Sequence, residues 1–166
     1  MAETSSQFNV KGLSELQKFL DQLTVKLEKN IMRGALRAGA KTILTEAKAN
    51  VPVKSGELRD SLKIGTKSRA GKVTASVRTK LFYARFVEFG TAAHVIGGKN
   101  GGWLSFGGTF TKAVDHPGAK PHPFMRPALD GQAQNAVVAT AEYIKRRLTK
   151  EGLNASDVEI STEDNT

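Results

Sequence analysis

Residues 51–80 read VPVKSGELRDSLKIGTKSRAGKVTASVRTK and contain the change in pattern on which the fold prediction depends. From 72 to 79, apolar and polar side chains alternate, as they do along a strand that buries one face. The polar segment 65–71, which has a glycine at each end, precedes this strand. We therefore predict an antiparallel β-hairpin within residues 58–79, with 65–71 as its long loop.

Helical spacing precedes the hairpin. A stripe of leucines recurs every three or four residues and fits burial in the protein's own core or against another subunit. The stripe consists of Leu13, Leu16, Leu20, Leu23 and Leu27. Asn30 is predicted to end this helix, and a second helix is predicted over 31–49, before Pro52. Gly34 and Gly39 within it disfavour a helix, which indicates that another backbone approaches them closely.

The C-terminal half has three further segments. Six glycines within residues 97–108 predict a flexible loop, which could contain a hairpin around 103–106. Apolar residues with helical spacing predict a third helix over 127–150. The polar and acidic residues after 150 predict a disordered tail.

Together these elements predict an α+β fold. A small antiparallel sheet, made of the hairpin and additional strands, would pack with the N-terminal and C-terminal helices. A length of 166 residues fits one domain. We predict a disordered N-terminus over 1–9, a single α+β domain over 10–150 and an acidic disordered tail over 151–166.

The charge of the chain is unevenly distributed. The net charge is +9, and residues 51–80 contain eight basic and two acidic side chains, whereas residues 151–166 contain five acidic and no basic ones. A basic patch attracts polyanions such as DNA, or acidic partner surfaces, although it can also be a merely solvated face. No stretch approaches the ~20 apolar residues of a membrane span.

The motifs that would indicate an enzyme or a metal centre are missing from the sequence. The chain has no cysteine, and its histidines, His94, His116 and His122, lack the spacing of HExxH. Asp115-His116 is not accompanied by a GxSxG motif, and the glycines of 97–102 lack the GxxxxGK[ST] spacing of a phosphate loop. We therefore predict that the protein is not an enzyme and has no metal and no cofactor.

Residues 83–91 combine aromatic and charged side chains and leave two interpretations open. The segment can be a core helix that ends at Gly90, in which Arg85 and Glu88 could pair at a spacing of three. It can also be an interface element, since Tyr, Phe and Arg are enriched in the cores of interfaces.

Three blocks of sequence resemble the motifs of one phage protein family. Residues 51–62 (VPVKSGELRDSL) resemble its VPVxTGxLRxSL block, with Ser55 where the family often has threonine. Residues 83–91 (YARFVEFGT) resemble its YAxxVEFGT block, while 116–118 (HPG) and 123–129 (PFMRPAL) resemble its HPG…PFxRPAL block. The blocks follow the family's order. The family comprises the gene-product-10-like head–tail joining, or tail-completion, proteins of long-tailed phages and prophages.

The resemblance implies a non-catalytic structural protein of the virion, located in the neck at the head–tail junction. The protein would be made in the host's bacterial cytoplasm and assemble into a homo-oligomeric ring between the capsid connector and the tail. Its partners would be its own copies, the neighbouring connector and tail proteins, and the genomic DNA that passes through the ring, with no membrane. Two other functions remain open: a sequence-nonspecific DNA-binding protein, or another minor tail component.

The candidate site residues fall into two groups. Residues of the three blocks are assigned to folding and subunit contact: Pro52, Gly56, Leu58, Tyr83, Arg85, Phe86, Glu88, Phe89, Gly90, Pro123, Phe124, Arg126 and Pro127. Cations of the basic hairpin are assigned to DNA or an acidic partner: Lys54, Lys63, Lys67, Arg69 and Lys72. Phe86 and Phe124 are predicted to be buried, so that their truncation would impair folding.

Overall fold

A computed structural model describes residues 12–21, 25–153, 155 and 158–160. The predicted α+β class is confirmed, because helices are combined with three small antiparallel sheets. The helices are α1 (Leu13–Leu20), α2 (Val25–Asn50), α3 (Glu57–Ser61), α4 (Ala84–Phe89) and α5 (Met125–Lys150). The strands are β1 (Lys63–Arg69), β2 (Lys72–Arg78), β3 (His94–Gly97), β4 (Leu104–Phe106), β5 (Thr109–Thr111) and β6 (Ala113–His116). None of the described helices has the length and hydropathy of a membrane span.

The long helices α2 and α5 pack against each other and form the centre of the molecule. The predicted close approach of another backbone is confirmed at Gly39, whereas the group nearest to Gly34 is the side chain of Tyr143. A Cβ atom at Gly34 would collide with the Tyr143 ring, and one at Gly39 would lie 2.5 Å from the carbonyl oxygen of Ala136. Glycine at these positions therefore allows α2 to approach α5 more closely than a side chain would permit. α2 ends at Asn50, two residues before Pro52, as predicted.

This packing predicts opposite effects for two glycine-to-alanine substitutions. Gly39→Ala should destabilise the protein by about 1–3 kcal/mol, because the backbone of α5 blocks the new methyl group. Gly131→Ala, in α5, should stabilise it by about 0.5–1 kcal/mol, because a Cβ there meets no atom within 4 Å and alanine favours a helix. Urea unfolding of both variants measures the difference. A stabilised Gly39→Ala would contradict the close approach.

The predicted helix break at Asn30 is wrong. Asn30 lies inside α2, whereas α1 ends at Leu20, so the leucine stripe is divided between two helices. Leu16 and Leu20 are buried in a cluster with Ala141, Ile144 and Leu148 of α5. The described part of the stripe thus serves the protein's own core, although Leu13 is 42% exposed. Leu23 lies outside the described residues.

The described residues that follow α5 differ from the disordered tail that their polarity predicted. Ala155 and Val158 are buried in the same cluster as Leu16, and Leu153 and Ile160 pack against it. Lys145 donates a hydrogen bond of 2.6 Å to the carbonyl oxygen of Val158. The sparse apolar residues in this segment are sufficient to hold it against α1 and α5.

The predicted hairpin is confirmed as the β1–β2 pair, but its predicted loop is too long. Residues 65–69 belong to β1, and the strands are joined by two residues, Ala70 and Gly71. Both have positive φ angles, 48° and 78°, as in the type I′ turn that matches the twist of two antiparallel strands. The loop was overestimated because Ala70 adopts a conformation that is unusual for a residue with a Cβ atom.

The other four strands form an arm, which we define as residues 94–116. β3 pairs with β6 at its base, and β4 pairs with β5 at its tip. A single 3-10 turn, Lys99–Gly101, lies between β3 and β4. The hairpin that the sequence suggested around 103–106 is confirmed as β4–β5, while the greater mobility expected for this region stays a prediction.

Candidate assembly site

The three sequence blocks converge on one small hydrophobic core beside the N-terminus of α5. Leu58 and Leu62 from the first block, Ala84 from the second, and Phe124 and Ala128 from the third are buried together. Ala47, near the end of α2, and Val51, which follows that helix and begins the first block, complete this cluster. Residues that lie far apart in the chain thus pack together in one core.

Glu88 joins the second block to the third. Its carboxylate accepts hydrogen bonds from the backbone N–H groups of Phe124 (2.8 Å), Met125 (2.9 Å) and Arg126 (3.0 Å). These N–H groups belong to the first turn of α5, where a helix has no partners of its own for them and favours negative charge. Glu88 is only 8% exposed, so α4 supplies α5 with a buried capping carboxylate.

The electrostatics of Glu88 follow from this position. Burial raises the pKa of its carboxyl group, but the three backbone N–H groups and the charge of Arg126 outweigh that effect, so the pKa lies below the ordinary value. The ion pair that the sequence allowed between Arg85 and Glu88 is not formed. Glu88 faces α5 instead, and the Arg85 guanidinium lies 4.8 Å from the centre of the Phe86 ring.

A second polar contact joins the first block to the second. The Tyr83 hydroxyl donates a hydrogen bond of 3.0 Å to the Glu57 carboxylate in α3. Partial burial and the neighbouring carboxylate both raise the pKa of Tyr83. Gly56 is the N-cap of α3 and has a φ of 80°, while Pro52 lies exposed just beyond the end of α2.

Backbone contacts fix the segment between α4 and α5. Thr91 and Ala119 exchange two hydrogen bonds of 3.0 and 3.1 Å. Gly90, with a φ of 71°, has no room for a side chain, because a Cβ would lie 2.5 Å from the carbonyl oxygen of Ala119. Pro123 and Pro127 are exposed on either side of the start of α5, where the missing N–H of proline is tolerated. These contacts therefore fix the chain on both sides of the arm, after α4 and before the helix that Glu88 caps.

The aromatic residues of the blocks divide into a buried and an exposed set. Phe124 is 1% exposed, as predicted, but the predicted burial of Phe86 is wrong, since 38% of its surface is exposed. Phe82 and Phe89 are 76% and 67% exposed. Ala84 and Glu88, four residues apart in α4, lie on the buried side of that helix, and Phe86 and Phe89 are exposed. This arrangement supports the interface interpretation of residues 83–91.

An open apolar groove of about 600 Å³ lies beside these aromatic residues, between α2, β2, α4 and the start of α5. Phe89 and Leu129, which is 52% exposed, are its most exposed apolar residues. Leu129 lies in α5 but is not among its buried residues, which are Ala128, Ala141, Ile144 and Leu148. We refer to this feature below as the groove.

The basic hairpin carries its charges on one side. Alternate residues of a strand point to the same face, and residues paired across two strands share a face. Because Lys63 pairs with Arg78 and Arg69 pairs with Lys72, the register places five cations on one face: Lys63, Lys67, Arg69, Lys72 and Arg78. The opposite face carries Ile64, Val73 and Val77, and the sheet packs against α2. All five cations are exposed. None forms an ion pair with another residue in the part of the chain that the structure describes.

Two details of this charged face differ from the sequence assignment. Lys54 is exposed in the turn between α2 and α3 and is not part of the hairpin. Arg78 was not among the candidates, yet its guanidinium lies directly over Gly65, where a Cβ would be 2.6 Å from its Nε. The alternation of β2 already placed Arg78 on the polar face and could have identified it.

Two of the three histidines lie at the base of the arm. The rings of His94 and His116 face each other across β3 and β6, with their centroids 5.0 Å apart. His94 Nδ1 lies 2.9 Å from the carbonyl oxygen of Ala92, and His116 Nδ1 accepts a hydrogen bond of 3.0 Å from the N–H of Gly118. The described residues contain no group of three or more metal-ligating side chains.

The comparison with known families agrees with the resemblance. Residues 14–90 match the family HK97-gp10_like, described as "Bacteriophage HK97-gp10, putative tail-component". The matched segment includes the first block, the basic hairpin and the second block up to Gly90. The third block lies outside the match but is joined to the second by Glu88. No curated protein and no solved structure matches the chain. The gene-product-10-like resemblance is confirmed, and it supports a structural component of a bacteriophage virion.

Proposed function

We propose, from the premise that residues 14–90 are those of an HK97-gp10-like phage tail component, that this protein is a ring-forming subunit of the phage neck. The ring joins the capsid connector to the tail and lets the genomic DNA pass. The family match carries this proposal. The proposed role is structural, without catalysis or a cofactor. Glu88 and Phe124, both in the sequence blocks, contribute to helix capping and core packing.

The cationic face of the hairpin supports the DNA-facing part of the proposal. Neighbouring positions on one face of a strand are spaced by about 7 Å, so Lys67 and Arg69 present a row of charges rather than one point. The opposite face of the hairpin is held by α2. A rigid row of unneutralised cations suits the phosphates of DNA or an acidic surface of a neighbouring ring.

Charge reversal at the tip of the hairpin tests this assignment. The double variant Lys67→Glu, Arg69→Glu should leave the melting temperature nearly unchanged, since exposed charges contribute about 0–1 kcal/mol each. It should strongly reduce the yield of joined particles when it complements a phage that lacks the protein. Arg37→Glu with Lys41→Glu, on the exposed side of α2, is the control of equal charge change. A wild-type particle yield from the hairpin variant would refute the charge assignment.

A sequence-nonspecific DNA-binding protein is the alternative that the same cationic face favours. If the isolated protein binds duplex DNA through its five hairpin cations, log K should fall with log [salt] with a slope of about −4 to −5. Filter binding or anisotropy at several salt concentrations measures this slope. Tight binding by the free protein, combined with its absence from purified virions, would replace the neck proposal by this alternative.

A further inference from the structure

The arm has little support from the rest of its own chain. β3 and β6 pack on each other, as do β4 and β5, and no strand of the arm packs extensively on a helix. Isolated two-stranded hairpins are at best marginally stable in water. Four of the arm's apolar residues are nevertheless exposed: Val95, Ile96, Trp103 and Phe110. We therefore expect the apolar residues of the arm to pack against another surface.

The tip of the arm presents one aromatic face. Ser105 pairs with Phe110, and side chains two apart along a strand point the same way, so Trp103 and Phe110 lie on one side of β4–β5. They are 66% and 67% exposed. Lys112 lies on the same side, with its Nζ 5.6 Å from the centre of the Trp103 ring. Both aromatic side chains are thus presented together to a single partner.

The groove on the body of the molecule has the complementary character. Its lining is mainly apolar, and arm residues do not contribute to it, so the arm of the same chain does not fill it. The groove is bordered by three consecutive residues of β2: Ala75, Ser76 and Val77. Because consecutive side chains of a strand point to opposite faces, the groove lies along the edge of β2 as well as on one face. β2 pairs only with β1 among the described strands, so this edge can accept hydrogen bonds from an added strand.

We propose that the tip of the arm of one copy, with Trp103 and Phe110, inserts into the groove of the next copy, beside Phe89 and Leu129. A β-structured partner with two exposed aromatic side chains fits an apolar groove that runs along a free strand edge. Trp103 and Phe110 together offer about 300–500 Å². The rest of the ~800 Å² per partner of a specific interface comes from the other arm residues and the groove rim, including Val95 and Ile96.

This contact joins two different surfaces of the chain, and it is therefore heterologous. Each copy gives its arm to one neighbour and receives an arm from the other, an arrangement that closes into a ring when the rotation between copies permits. The inference rests on the proposed ring and names the surfaces that build it. An isologous dimer, in which the same patch meets itself, would not use the arm and the groove in this way.

Cysteine cross-linking tests the contact, and the natural absence of cysteine makes the background clean. The variant Ser105→Cys, Ser76→Cys places one thiol beside Phe110 on the arm tip and one at the groove, and it keeps every apolar side chain of the proposed contact. It is treated with a short bismaleimide, both as concentrated purified protein and in particles obtained by complementation. We expect a ladder of cross-linked oligomers. A mixture of the two single variants should give cross-linked dimers and nothing larger. Each copy then carries one thiol, either on its arm or at its groove, and can be linked to one neighbour only.

The controls separate this inference from the proposed function. Ser105→Cys combined with Lys18→Cys, on the exposed side of α1, should give no ladder. Dimers from Ser105→Cys alone would indicate an isologous contact and overturn the inference. If the protein occupies the neck of joined particles but the Ser105→Cys, Ser76→Cys variant gives no ladder there, the arm contact is wrong and the neck proposal stands. If the protein is absent from the neck, the neck proposal fails by itself.

The effect on assembly provides a second readout. Trp103→Ala with Phe110→Ala should reduce the yield of joined particles at least tenfold, because the arm loses its aromatic face. The melting temperature should stay within a few degrees of wild type, since both side chains are about two-thirds exposed in the single chain. A normal particle yield from this variant would contradict the proposal.

Discussion

Phe124→Ala is expected to lower the free energy of unfolding by about 3–5 kcal/mol, the usual cost of truncating a buried phenylalanine. Phe124 is 1% exposed and lies in the core that the three sequence blocks share, against Leu58 and Leu62. Because a domain has only about 5–15 kcal/mol of stability in total, this single change should bring the protein close to unfolding. Urea denaturation with the wild-type protein as reference measures the loss.

Two other phenylalanines provide the matched comparison. Phe89→Ala, at a side chain 67% exposed, should change the free energy of unfolding by no more than about 0.5 kcal/mol. Phe86→Ala, at 38% exposure, should give an intermediate loss. Equal losses at Phe124 and Phe89 would show that the core beside α5 is not packed as described.

Glu88→Gln is expected to cost about 1.5–3 kcal/mol near pH 7, because three charge-assisted hydrogen bonds to the start of α5 lose their ionised acceptor. Glutamine keeps one carbonyl oxygen but places an NH₂ group beside buried N–H donors. Glu88→Ala should cost as much or more. Glu142→Gln, at an exposed position in α5, is the control and should have a negligible effect.

The same carboxylate predicts how stability depends on pH. The pKa of Glu88 is lowered in the folded protein, so the unfolded chain takes up its proton at a higher pH than the native one does. The contribution of the Glu88 carboxylate to the free energy of unfolding is therefore fully present above the ordinary glutamate pKa of about 4.3. It is lost as the pH falls through the lower pKa of the folded protein. Unfolding free energies measured from pH 7 to pH 3 should fall less steeply in Glu88→Gln than in wild type. Parallel curves would exclude Glu88 as a contributor.

Local patterns in the sequence were sufficient for the elements that depend on neighbouring residues. Alternation identified β2, helical spacing identified α2 and α5, and Gly34 and Gly39 indicated a close helix contact. These inferences succeeded because side-chain periodicity reflects which face of an element is buried. The inferred domain limits, by contrast, stay a prediction.

The ends of helices and the lengths of turns were harder to predict from sequence patterns. Asn30 disfavours a helix only weakly, so the packing of α2 on α5 overrides it. The short turn at Ala70-Gly71 was missed because the positive φ of Ala70 has no signature in the residue type. The apolar residues after α5 are too few to form a pattern, yet Ala155 and Val158 find partners in a cluster already formed by other elements.

The sequence by itself therefore determined the α+β class, the main helices, the hairpin and the family blocks, since these follow from periodicity and short motifs. Only the tertiary structure decided what the motif residues do. Glu88 caps a helix that begins 37 residues later, and Phe124 is buried whereas Phe86 is not, although both are phenylalanines within motif blocks. The physical reason is that capping and burial are set by partners distant in the chain, whose positions exist only after α2, α4 and α5 have packed together.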